Sequence, residues 1–571
     1  MKEIRFRDML IYFVKASITL ATKSIKKRYQ FKVSKPYIML HSNKLIHLLI
    51  SFQFITCATA QLTSSNLPII LVTTEDEIPD EPKIEGSIGI IYDTTGGINS
   101  MAESFNYYSS NLAIETRGNS TQGFDKKTYS LELRNSANED TSVNLFGMGG
   151  EEDWILHAMV IDKSQVRIPM SFYLAQRMGQ YASEFKYVEL VLNGDYRGTY
   201  ILVEKIKRDD DRVDIAKLDE DDLAGDSLTG GYILRMDWLD DPQGFESNYN
   251  SQGGNPMFYQ WYYPKADKIK PQQALYIQDW MGDFEDALFD NDYTNDAGIR
   301  YTEYIDVNSF TDFLLINEFS KNSDGYKLSS YVHKDRDSRG GKLIAGPIWD
   351  FDQTYGVSLV CSNNIPTGWT YLQNQDCWDL ESMPMWWQNL MEDPVFQNRL
   401  KCRWTDFRQS FMHTDSIVNW IIEDTAYLSN ALQRNFEKWD YFIGESIWIE
   451  PDPIPQSYEE EISTMITWIT NRLNWMDANM PGDCSQDDLS TPALESANFV
   501  RIYPNPTKEK LHIECRETSR IQILDLHGKS LMEVISNNGY TALNVNTLSP
   551  GAYFVTIEND QGRFTKKIIR Q

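Results

Sequence analysis

Gly346-Pro347-Ile348-Trp349-Asp350-Phe351-Asp352-Gln353-Thr354-Tyr355-Gly356 sets two carboxylates on either side of a phenylalanine, between a tryptophan and a tyrosine. It closes a strand-like run over residues 342–348. Burying two like charges two residues apart is costly unless a cation neutralises them. A divalent ion with hard oxygen ligands is the natural compensator, magnesium or manganese with phosphate oxygens, or calcium. The other reading is a surface turn in which both aspartates are solvated or cap a helix.

Twenty-six residues upstream lies Asp324, in Asn317-Glu318-Phe319-Ser320-Lys321-Asn322-Ser323-Asp324-Gly325, after a helical pattern and before the strand-like stretch 330–333. An Asp before Gly is by itself more often a turn residue than a base. Read together, however, a helix, an Asp, a hairpin and then Asp-Phe-Asp follow the order in which a kinase C-lobe supplies its catalytic base and its metal ligand.

Further upstream, Arg117-Gly118-Asn119-Ser120 precedes Lys126-Lys127-Thr128-Tyr129-Ser130-Leu131. A Lys entering a strand can hold phosphates as a point charge, or it can lie solvated along a sheet edge. Period two puts Lys127 on the face of Tyr129, Leu131 and Leu133, and Lys126 on the other. Glu204 ends the run Tyr200-Ile201-Leu202-Val203, with Lys205 or Arg167 as its partner.

Strands are expected at 88–92, 112–117, 128–133, 187–192 and 200–205, with one helix at 164–181. Beyond residue 270 helices dominate, at 271–289, 307–320, 383–411, 415–433 and 458–480. This is an α+β, two-lobed plan: a β-rich lobe over about 62–210, a helical lobe over about 211–482, and polar residues near the junction. Residues 483–497 read as a Ser/Asp/Pro-rich linker and 498–571 as a small all-β sandwich. With 571 residues, two or three folded units are expected.

The formal charge is −28, from 54 basic and 82 acidic residues. Residues 1–60 hold eleven Lys/Arg against two Asp/Glu, a net of +9 that leaves −37 on the remainder. A body so acidic argues against nucleic acid as a partner, since such binding begins with a basic face. The basic opening leads to Met39, an apolar run from Leu45 to Ile55, and Ala58-Thr59-Ala60 before Gln61. That is a signal-peptide pattern with translation starting at Met39 and cleavage after Ala60, which makes 1–38 an over-extended start. The apolar run is short for a stable transmembrane span. An uncleaved anchor, or a lipoprotein acylated at Cys57, are the other readings.

Five cysteines follow, with neither C-x-x-C nor zinc spacing. A bridge between Cys361 and Cys377 would contribute about 3 kcal/mol. Pairing stays open, with at least one thiol left over.

In combination these stretches resemble the CotH kinase family, atypical kinase-like proteins related to secretory-pathway kinases. The resemblance is carried by Arg117-Gly118-Asn119-Ser120 with Lys126-Lys127; Asp162-Lys163-Ser164 with Arg167; Val188 to Tyr200 with Glu204-Lys205-Ile206; Gly230-Gly231-Tyr232-Ile233; Asn317-Glu318 with Asp324; and Trp349-Asp350-Phe351-Asp352. It implies a two-lobed fold that binds ATP with Mg²⁺ or Mn²⁺ and phosphorylates Ser/Thr of exported proteins. Asp324 would be the base, Asp350 and Asp352 the metal carboxylates, and Lys126 or Lys127, with Arg117 and Glu204, the nucleotide-binding set. There is no G-x-G-x-x-G loop, no His-Arg before Asp324, and Ser329 stands where an ordinary kinase has its metal-binding Asn. An inactive, kinase-like surface protein for adhesion or glycan binding is the alternative, with Trp261-Tyr262-Tyr263 and Trp386-Trp387 as sugar platforms. A phosphoryl or glycosyl transferase using another donor is a third reading.

The tail, from Ile502-Tyr503-Pro504-Asn505-Pro506-Thr507 through Ser549-Pro550-Gly551-Ala552-Tyr553 to Lys566-Lys567-Ile568-Ile569, resembles the C-terminal sorting domain of the type IX secretion system of Bacteroidota. It implies recognition by that machinery, passage through the periplasm, and a secreted or outer-surface location.

Overall fold

The structure, a computed structural model, describes residues 62–486 apart from 240–241, 373–376, 378–379, 441–442 and 448. It also describes 500–570 apart from 504–506, 509, 516–518, 526–528, 537–539 and 560–561. The signal-peptide and start-site expectations lie outside the described residues, as does most of the linker.

Seven strands close into a barrel: β1 Ile69–Thr74, β2 Ile84–Ile91, β3 Tyr108–Arg117, β4 Thr128–Arg134, β5 Asp153–His157, β6 Phe185–Leu192 and β7 Asp195–Glu204. Their order is β6-β7-β5-β4-β3-β2-β1, sealed by the parallel pairing of β6 with β1, Glu189 against Ile69. Alternation dictates the closure. Tyr129, Leu131 and Leu133 share one apolar core with Leu112, Ile114, Trp154, Leu156, Tyr200 and Leu202, while Ile155, Ile201 and Val203 belong to a second. The sequence reading anticipated five of these strands. It missed β1 and β5: β1 opens on the unbroken apolar run Ile69-Ile70-Leu71-Val72, which shows no alternation, and β5 is only five residues long.

The second core gathers α1 (Arg167–Met178), α2 (Pro271–Phe289), α3 (Val307–Ser320), α4 (Pro394–Arg408), α5 (Thr414–Lys438) and α6 (Tyr458–Asn479) around a five-stranded sheet. That sheet contains β8 Tyr232–Met236, β9 Gly244–Asn250, β10 Pro256–Tyr263, β11 Ser330–Lys334 and β12 Leu343–Ala345, in the order β9-β10-β8-β11-β12. Its strands β11 and β12 match the strand-like stretches read at 330–333 and 342–348, whereas β8, β9 and β10 were not anticipated in the helical lobe. Tyr232, Ile233 and Leu234 of β8 are all buried, so the strand shows no alternation from which to read it. The single helix expected over 383–411 is also two, Trp386–Leu390 and α4. Asp393 caps α4 by accepting from Val395 N at 3.1 Å, and Pro394 takes the first helical position.

Cys361–Cys377 and Cys402–Cys484 are disulfides. Beyond α6, Asp483 N donates to Asn398 Oδ1 at 2.8 Å, so the chain ends this body against α4. Residues 500–570 form two antiparallel sheets, of three and four strands, around their own core of Ile513, Ile521, Ile523, Val555 and Ile568. Among the described residues no helix is long and apolar enough to cross a membrane.

Candidate functional site

Nearly every side chain of α3 is buried, including Asp312, Asn317 and Glu318, so the helix is a fixed platform within the core. It starts at Asp306, which accepts from Ser309 N at 2.7 Å, and stops at Lys321 in left-handed backbone. The loop beyond carries Asp324. Asn322 Oδ1 accepts from Asp324 N at 3.1 Å, and the Asp324 carbonyl accepts from Leu328 N at 3.0 Å. Gly325 is needed here, because a Cβ would lie 2.5 Å from Asn317 Oδ1.

The Asp350–Tyr355 segment is stapled to the same loop. Phe351, between Asp350 and Asp352, is inserted in the second core. Tyr355 N donates to Ser320 O at 2.8 Å, Ser323 Oγ to Gln353 O at 3.1 Å, and Ser329 Oγ to Asp350 Oδ2 at 2.8 Å. Lys321, Tyr326, Ser329, Asp350 and Tyr355 all have φ between 44° and 72°, a concentration of left-handed backbone typical of a constrained site. Arg167 supports it from behind, donating through Nε to Thr354 O at 3.0 Å while NH1 meets Asp162 and Glu461, each at 2.7 Å.

The three candidate carboxylates act on one another. Burial raises Asp350 to about 6, with Asp324 and Asp237 adding to it and the Ser329 hydroxyl and Arg117 opposing. Burial pushes Asp352 well above the usual range, reinforced by Asp350, Asp324 and Asp162. Asp324 is raised by burial, opposed by Lys327, whose Nζ is 3.8 Å away, and reinforced by Asp237. This concentration of negative charge fits a divalent cation. Among the described residues the one trio whose carboxylate oxygens all lie within 4.8 Å is Glu151, Glu152 and Asp153. Lys207 already neutralises that trio at 2.7, 2.9 and 3.1 Å. The Asp324, Asp350 and Asp352 oxygens are spread more widely. A water-sized cavity of about 10 Å³ beside Asp312, Ile316 and Pro347 includes none of them.

Arg117, at the end of β3, lies 5.9 Å from the Trp349 ring and bears electrostatically on Asp350. Lys205 follows β7, 3.7 Å from Asp153; burial lowers its ammonium, and Lys83, Arg117 and Lys207 add to that while Asp153 opposes. Lys265 lies 4.4 Å over the Tyr262 ring, lowered by burial and by Lys205 and Arg235. Lys126, by contrast, is fully buried, donates to Thr199 O at 2.6 Å and faces the Tyr200 ring at 4.8 Å. Lys127 donates to Gln122 O at 2.5 Å. Glu204 pairs with neither Lys205 nor Arg167: it accepts from Glu184 N at 2.8 Å and Tyr181 OH at 3.0 Å, with Arg212 Nε 3.5 Å away.

The structure thus brings Asp324, Asp350, Asp352 and Arg117 together and sets Lys126, Lys127 and Glu204 among other partners. Sequence reasoning missed Asp237 and Lys327. Asp237 directly follows β8, so a strand recognised at Tyr232–Met236 would have pointed to it. Trp386 and Trp387 lie in the core, which removes that pair as a sugar platform.

The CotH kinase protein family matches residues 114–476, and the secretion system C-terminal sorting domain matches 501–571. The chain belongs to the CotH kinase family and carries a secretion sorting domain at its end. No curated protein matches it. Among solved structures, the twitchin kinase region from C. elegans aligns at 9% identity over 89% of this chain and 99% of that one. Its TM-score is 0.14, too low to bear on the fold.

Proposed function

We propose that the protein is an exported, metal-dependent kinase that transfers the γ-phosphate of ATP to Ser/Thr hydroxyls of exported proteins. The barrel would act as the N-lobe, within residues 62–210, and the helical body as the C-lobe, within 211–482. Residues 1–60 would be removed up to Ala60, 483–497 would link, and 498–571 would engage the type IX machinery on the way to secretion or the outer surface.

The observation that carries this reading is the gathering of half-buried Asp324 and Asp350 and buried Asp352, on two segments stapled to one helix end and acting on one another, with the Arg117 guanidinium bearing on Asp350. Mg²⁺ or Mn²⁺ held by Asp350 and Asp352 would neutralise charge on the phosphates. Asp324 takes the proton of the acceptor hydroxyl as its oxygen bonds to the γ-phosphorus and the bond to the ADP oxygen breaks. Arg117, which bears on Asp350, and Lys205, which bears on Arg117, would hold the phosphates, since Lys126 and Lys127 are engaged with backbone carbonyls.

The test is autophosphorylation and transfer to acidic and basic protein acceptors, with labelled ATP and each metal. Transfer lost in both Asp324→Asn and Asp350→Ala supports the reading. Metal-dependent nucleotide binding without transfer would favour the inactive, adhesive alternative. No nucleotide-dependent thermal shift with either metal would remove the kinase reading.

A further inference from the structure

The loop that carries Asp324 is covered by a covalently closed segment. Cys361 and Cys377 are joined across a separation of 16 residues. Sγ of Cys361 lies 3.5 Å from the carbonyl oxygen of Ser323, the residue before Asp324. Asn363 donates its amide to the carbonyls of Ser320, at 3.4 Å, and Lys321. Lys321 Nζ returns a bond to Thr367 O at 2.9 Å. Ser358 donates to Gln353 Oε1 at 3.5 Å, and Gln353 Nε2 is 3.5 Å from Asp324 Oδ2. Both cysteines pack with the barrel's core rather than with the helical one. The disulfide therefore ties a strap over the 320–324 loop to the other side of the site.

The geometry points to the Cys361–Cys377 bond as an oxidation-dependent positioning device for Asp324. Its effect on phosphate transfer rests on the kinase reading; its effect on the loop does not. In the dithiol form the strap keeps only its hydrogen bonds and the packing of Val360 and Cys361, and the loop opens more often. Closing the bond takes two electrons and two protons from the thiols and passes them to an external disulfide, which leaves as a dithiol. A chain in a reducing compartment carries the loose loop, and one exported to an oxidising compartment carries the braced one.

The test compares the full chain with Cys361→Ser/Cys377→Ser and with Cys402→Ser/Cys484→Ser as the control for a lost disulfide. Amide hydrogen exchange across residues 320–328 is read together with autophosphorylation. The strap variant is expected to exchange at 321–325 about tenfold faster and to transfer phosphate about tenfold more slowly, with the control variant unchanged in both. Equal exchange in the strap variant and wild type overturns the proposal, as does an equal rise in the control. If the strap variant does not fold, wild type is titrated with dithiothreitol and each bond counted by mass spectrometry. Loss of protection at 321–325 must then follow reduction of Cys361–Cys377 and reverse on reoxidation; tracking Cys402–Cys484 instead refutes the idea. No phosphate transfer in oxidised wild type would defeat the kinase reading and leave the exchange comparison to decide this one.

Discussion

The hydroxyl of Ser329 donates to Oδ2 of Asp350 at 2.8 Å, joining two residues whose φ angles are 44° and 55°. The bond favours the ionised carboxylate against the burial that disfavours it. Ser329 therefore orients a carboxylate that would hold the cation, whether or not it touches the cation itself. Ser329→Ala is expected to weaken Mn²⁺ binding about tenfold, the usual effect of losing such an outer partner. Calorimetric titration at fixed pH checks this, and an unchanged affinity would deny Ser329 the role.

Arg117 and Lys126 should separate function from stability. Arg117→Ala is expected to raise the KM for ATP about tenfold, equivalent to about 1.4 kcal/mol, with little change in melting. Lys126→Ala removes a fully buried side chain and its bond to Thr199 O. Its expected cost is about 2–4 kcal/mol of stability. Steady-state kinetics alongside thermal melts distinguish the two; a kinetic defect at Lys126 in a fully stable protein would return that lysine to the nucleotide site.

Glu204 gives a pH signature. Burial raises its carboxyl to about 7, against the Glu184 amide, Arg212 and the Tyr181 hydroxyl. The folded state thus binds the proton more tightly than the unfolded chain. Its stabilising contribution is fully present below the unfolded value, near 4.5, and is lost as pH rises towards 7. Glu204→Gln should flatten this slope and add about 1–2 kcal/mol at pH 8. Denaturant melts at pH 5 and pH 8 read it out, and parallel profiles for the two proteins would contradict it.

The clamp behind the site is Glu318 with Arg472, both fully buried and 3.1 Å apart. Glu318 accepts from the backbone N–H of Thr370 and of Tyr371, each at 2.7 Å, while Arg472 NH1 donates to Gly368 O at 2.6 Å. Arg472→Ala strands a buried carboxylate and is expected to cost about 3–5 kcal/mol. A chemical melt measures it; a loss below 1 kcal/mol would mean, on the same scale, that water replaces the guanidinium.

Helices α2 and α3 were legible because proline or a polar residue opens each, and their lengths exceed any strand. The Asp350–Asp352 pair was legible because two charges beside Trp349 and Phe351 need a reason. What stayed hidden was non-local. Asp237 approaches Asp324 and Asp350 only because β8 lies beside β11, a pairing across about a hundred residues. Lys126 meets Thr199 O and the Tyr200 ring while Arg117 meets the Trp349 ring, partners 73 or more residues away that local spacing does not reveal. A Cys361–Cys377 bond was one possibility among pairings that spacing left open, and the strap's grip on Ser323 was not legible at all.

The second disulfide has its own meaning for the fate of the chain. Cys484 is tied to Cys402 in α4 five residues after α6 ends at Asn479, and the matched sorting domain begins at residue 501. A protease that trims the chain between those points cuts downstream of the last knot. Were the sorting domain released there, the last helix of the body would keep its covalent tie to α4 through Cys484.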